Sequence, residues 1–79
     1  MLLDQIAAAF DRQDYKLAAE LLKTFLHQSP QDPWGQVYRA KLYEVSGRIE
    51  DAKAIYQNIL RTVTSSKIIS MTRSQLQQL

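Results

Sequence analysis

The 79-residue chain has no cysteine, which excludes disulfides and thiolate metal sites. The same absence fits a reducing compartment, and a cytoplasmic location is expected. Its single histidine, His27, falls among polar residues with no second histidine to share a metal, so it reads as a surface side chain. Glycine is scarce too. Gly35 and Gly47 stand too far apart to form a phosphate-cradling loop, which leaves nucleotide binding without support. No apolar run approaches the roughly 18 residues that a bilayer span requires. The apolar start, MLLDQIAAAF, is interrupted by Asp4 and has no basic region before it, so it does not read as a signal peptide.

Candidate catalytic groups are as sparse as ligands. Glu50 and Asp51 are adjacent, so on a helix they point about 100° apart, and they suit the positive start of a helix better than acid-base chemistry. Hydroxyls crowd the stretch from Thr62 to Ser74, but no general base stands at helical spacing to activate one. Neither an enzyme nor a cofactor is expected.

What the chain does have is helical periodicity. Residues 33–60 read as a helical hairpin around the Ser46-Gly47 turn. Ile49, Ala52, Ile55, Tyr56, Ile59, Leu60 and Val63 recur at three- and four-residue steps and share one face, with Glu50, Lys53, Gln57, Asn58 and Arg61 opposite. In the preceding half, Trp34, Val37, Tyr38, Ala40, Leu42, Tyr43 and Val45 spread around most of the helix, as a central helix flanked on several sides requires. A first helix spans residues 2–13. Asp14 caps a second, whose face is Tyr15, Ala18, Leu21, Leu22, Phe25 and Leu26, with Lys16 and Glu20 paired one turn apart outside. Asp32-Pro33 starts the third helix, Gly47 ends it, and the fourth runs from about Arg48 to Val63. Thr64, Ser65 and Ser66 supply a break and a hydroxyl cap for a fifth helix carrying Ile69, Thr72, Leu76 and Leu79. Ala52 is expected to face Ala40 at a close helix crossing, and Ala54 to point the other way.

Shifted by 34 residues, the chain matches itself in pattern: Tyr15 falls on Ile49, Ala18 on Ala52, Leu21 on Ile55, Leu22 on Tyr56, Phe25 on Ile59 and Leu26 on Leu60. On these residues, with Pro30 between units and Ala40, Tyr43 and Gly47 at aromatic or small positions, the chain resembles the tetratricopeptide repeat family. It departs from the family pattern at Gln36, Ile6 and Thr64. The resemblance implies an all-α fold, a right-handed superhelical stack of antiparallel helix pairs with about five helices. It divides one domain into repeat 1 (1–32), repeat 2 (33–64) and a capping helix (66–79).

The resemblance also implies a function, a protein-interaction module that takes a helical or apolar peptide on the concave side. The expected lining is Leu3, Ala7 and Phe10 from the first helix, Trp34, Val37, Lys41 and Glu44 from the third, and Ile68, Met71 and Gln75 from the fifth. An alternative is that these side chains bury one another. Some relatives clamp a C-terminal carboxylate on these helices, but the matching places here, Leu3, Ala7, Tyr38, Ile68 and Thr72, cannot provide the charge-assisted bonds. If the lining stays open, it forms an apolar patch large enough to favour a weak homodimer centred on Trp34.

Charge supports a rival reading. Six of the ten basic residues and all eight acidic ones lie in residues 1–51, and beyond Asp51 only Lys53, Arg61, Lys67 and Arg73 are charged. This positive pole could meet nucleic acid or an acidic partner, although a net charge of +2 is mild for nucleic acid.

Overall fold

Two aspartates and one glycine mark the helix boundaries. The computed structural model describes residues 1–79 as five α-helices without a strand: α1 (Leu2–Asp11), α2 (Tyr15–Gln28), α3 (Pro33–Val45), α4 (Ile49–Thr62) and α5 (Ser66–Gln78). Asp14 accepts a 3.3 Å bond from the Leu17 amide, and Asp32 accepts a 2.8 Å bond from Trp34 with Pro33 in the first turn. Each satisfies an amide that the helix start leaves without a partner. The expected hydroxyl cap of α5 is absent, because Ser65 occupies the cap position without a side-chain hydrogen bond.

α3 ends in a Schellman turn. Gly47 at φ +81° donates to the Glu44 carbonyl at 3.1 Å, and Arg48 donates to Tyr43 at 2.9 Å. The same bonds close α1, from Gln13 to Phe10 at 3.0 Å and from Asp14 to Ala9 at 2.8 Å, but there the left-handed residue is Gln13 at φ 60°. This turn ends α1 before residue 13. Lys16 and Glu20 form no ion pair; the two ion pairs are Arg48–Asp51 at 2.7 Å and Lys53–Glu50 at 3.9 Å.

Short connections lay consecutive helices side by side, so that α1 packs on α2, α3 on α4, and α5 on both α4 and α3. α3 also touches α2 and is the central helix. Burial falls into two apolar clusters. Ile6, Leu22 and Phe25 form the first, and Val37, Ala40, Ala52, Tyr56, Ile59 and Ile68 the second. α3 feeds both: Tyr38 and Leu42 lie against the first, Val37 and Ala40 inside the second. Ala40 and Ala52 are fully buried there, whereas Ala54 is exposed. Between the clusters, a Cβ on Gly35 would come within 2.9 Å of Leu26 Cδ2, so the bare backbone lets α2 and α3 approach closely. No helix is long and apolar enough to cross a membrane.

Candidate protein-binding face

The helical repeat of about 3.6 residues decides which α3 side chains share one side of the helix. Trp34, Tyr38, Lys41 and Val45, stepped by four, three and four residues, fall within about 60° of one another around the axis. Tyr38 is the centre of this row. Its ring stacks on Phe10 of α1 with centroids 5.3 Å apart and planes at 25°, and lies 6.5 Å from the Trp34 ring. Phe10 meets Tyr15 edge-on at 5.7 Å, and the Lys41 ammonium sits 5.8 Å from the Tyr38 centroid, within cation-π range. Val45 at the end of the row is 46% exposed, and apart from Met1 it is the only exposed large apolar side chain.

Electrostatics at Tyr38 follow from this setting. Burial raises the hydroxyl pKa above its ordinary value, and the Asp11 and Asp4 carboxylates raise it further, because each disfavours a second negative charge nearby.

The expected lining is rotated by about one residue. Val37 and Ile68 are 1% and 4% exposed and belong to the second apolar cluster, so they cannot offer a contact surface. Relative to this part-exposed row, Val37 and Glu44 are turned by about 80° toward α4 and α5. Glu44 accepts a short hydrogen bond from the Tyr56 hydroxyl and bonds of 3.3 and 3.4 Å from Gln75 Nε2. Glu44 and Gln75 are thus brought together, but with each other and as an internal clasp joining α3, α4 and α5. Burial first, then the bond to Glu44 and its charge, push the Tyr56 hydroxyl pKa strongly up. One turn before Gln75, the buried Thr72 hydroxyl has no partner.

Of the remaining residues, Phe10, Trp34 and Lys41 share the Tyr38 face, and Ala7 is half-buried on α1. Met71 and Trp34 pack partly against the second cluster. Leu3 instead lines a hollow of about 400 Å³ with Leu2, Phe25 and Asp32. Burial of Val37 and Ile68 therefore interrupts the apolar lining expected to favour self-association. Tyr38 and Val45 were not assigned to the lining. The signal for them is the run of four-, three- and four-residue steps from Trp34 through Tyr38 and Lys41 to Val45, which the all-round apolar character of α3 obscures.

The basic residues lie on α4 and α5. Lys53 is paired with Glu50, and Arg61 lies about 12 Å further along α4. Lys67 opens α5, while Arg73 lines a hollow of about 460 Å³ among Thr64, Ser66, Ser70 and Ser74. His27 is exposed beside Lys23 and Leu26.

In comparison with known proteins, a family model described as tetratricopeptide repeat matches residues 9–76. No curated protein and no solved structure gives a significant match.

Proposed function

Because the chain belongs to the tetratricopeptide repeat family, whose members mediate protein-protein interaction, we propose that it docks another polypeptide on the face of α1 and α3. The observation that supports this reading is the aromatic row Phe10–Tyr38–Trp34, partly uncovered and continued by Lys41 and the exposed Val45. An aromatic surface edged by charge suits a helical or extended segment, which can lay one side chain per turn or per pleat along it. The proposed division is two repeats, 1–32 and 33–64, with 66–79 as a cap whose outer side is mostly hydroxyl and amide. A cytoplasmic adaptor or scaffold is the role proposed for it.

Peptide display selected on the wild-type protein tests the reading, with Val45→Glu and Trp34→Ala as comparators whose fold is checked by circular dichroism. Selected peptides should bind Val45→Glu at least about tenfold more weakly, the effect of a charge placed on the exposed end of the row. Peptides that ignore both substitutions would remove the proposal. Binding of an acidic partner or nucleic acid through Arg61, Lys67 and Arg73 ranks second. It would show as affinity that falls steeply with salt and is indifferent to Val45.

A further inference from the structure

α5 enters the fold through the loosest connection in the chain. Each earlier connection is closed by a backbone turn bond, from Asp14 to Ala9 at 2.8 Å, from Asp32 to Ser29 at 3.2 Å and from Arg48 to Tyr43 at 2.9 Å. Between α4 and α5 there is none. The amides of residues 64–68 donate to no acceptor within the protein, and Val63 and Ser65 are extended, with ψ 139° and 119°. Ser65 adds no side-chain cap. An extended segment without turn bonds can rotate without breaking any, so it serves as a hinge.

What holds α5 in place is equally uneven. It packs on α4 and, more lightly, on α3. Ile68 enters the second apolar cluster, and Met71, Leu76 and Leu79 pack against it. On the polar side Gln75 reaches Glu44 through bonds of 3.3 and 3.4 Å, longer than most of this type. Against these contacts stands Thr72, which is 0% exposed and whose Oγ1 is the one buried side-chain polar atom in the chain without a hydrogen-bond partner. A hydroxyl buried in this way loses its hydration and gains no bond in return, so it favours any state in which α5 swings out and water reaches it.

We propose that α5 is a latch: it opens as one unit on the 63–65 hinge while α1–α4 stay folded, and Thr72 sets how often it does so. Opening withdraws Ile68 from the cluster that holds Val37 and Ile59 and releases Glu44 from Gln75, so it uncovers an apolar strip of α3 and α4 that the closed protein hides. Openings of this kind lie below global unfolding in free energy and fall on elements with few apolar contacts. The latch needs no ligand and stands whether or not the aromatic row binds a peptide.

Native-state hydrogen exchange on the full chain, followed amide by amide by NMR, tests this. In the wild type the α5 amides from Ile69 to Leu76 should share one protection factor, at least about tenfold below that of the slowest α3 and α4 amides and little changed by low urea. Thr72→Val keeps the shape and removes the hydroxyl, so it should raise that factor by about fivefold or more. Ala18→Leu, which weakens the first hairpin, should leave it unchanged. If α5 is as protected as the α3 core, or if Ala18→Leu speeds its exchange as much as that of the slowest amides, α5 leaves only with global unfolding and the latch is overturned. Protection that declines steadily toward Leu76 would mean end fraying and overturn it too. Unchanged exchange in Thr72→Val would overturn Thr72 as its control.

Discussion

The two helical hairpins use one geometry with opposite weak points. Both α1 and α3 end in the same pair of turn bonds, 34 residues apart, but the left-handed position is Gln13 in the first and Gly47 in the second. At the next residue the quality reverses. Asp14 caps α2 through its side chain, whereas Arg48 makes no side-chain cap and contributes through Asp51 and the Tyr43 ring, 2.7 Å and 4.9 Å away. Each hairpin therefore combines one favourable boundary residue with one unfavourable one. The interiors differ more. Leu22 sits in an apolar cluster where its counterpart Tyr56 carries a hydroxyl to Glu44, and only the second hairpin has a fifth helix hydrogen-bonded to it. The first hairpin is held by apolar packing alone, and the second adds a polar clasp that fixes the register of α5 against α3.

The largest effect should come from the feature the hairpins share. Ala18 and Ala52 are both fully buried at 34-residue spacing, so Leu at either position overpacks a close contact and should destabilise by about 1–3 kcal/mol. Leu at the exposed Ala54 should stay within about 0.5 kcal/mol of wild type. Urea melts decide this, and a loss at only one of the two buried alanines would show that the hairpins do not pack alike.

Tyr56→Phe should cost about 1–2 kcal/mol, because Glu44 loses its hydroxyl donor in a half-buried setting. Leu22→Met, the apolar counterpart, should cost less than about 1.5 kcal/mol. The clasp also has a pH signature. The Tyr56 pKa is raised in the folded protein, so its stabilising contribution is complete below the unfolded value of 10.0 and declines as pH rises beyond it. Tyr38 shifts in the same direction. Melts from pH 8 to 11 should therefore show stability falling above about pH 10, less steeply in Tyr56→Phe, where only Tyr38 contributes. Parallel curves for the two proteins would remove the clasp as the cause.

The smallest effects concern the turns. Gly47→Ala should destabilise by about 1 kcal/mol through its left-handed backbone, since a Cβ there meets no atom within 4 Å and only φ is at stake. Gln13→Gly should relieve the same strain and stabilise by up to about 1 kcal/mol. Equal signs for the two substitutions in thermal melts would mean that the turns are not equivalent.

By itself the sequence determined the local elements, because their causes are local. Asp14, Asp32-Pro33 and Gly47 act on backbone groups within a few residues, and the three- and four-residue recurrence of Ala52, Tyr56 and Ile59 names a buried face without reference to any neighbour. The 34-residue repeat and the buried Ala40 and Ala52 were legible for the same reason. Gln13 was not, since nothing in a glutamine announces a left-handed backbone; only the turn bonds around it require one. Tertiary structure alone decided the orientation of α3. With apolar residues on nearly every side, its sequence does not say which row faces out, and a shift of one residue moves a side chain by about 100°. The choice fell to contacts far away in the chain. Gln75, 31 residues later, and Tyr56 hold the Glu44 carboxylate toward α4 and α5, while Tyr38, on another side of the helix, meets Phe10 of α1 and Val45 stays exposed.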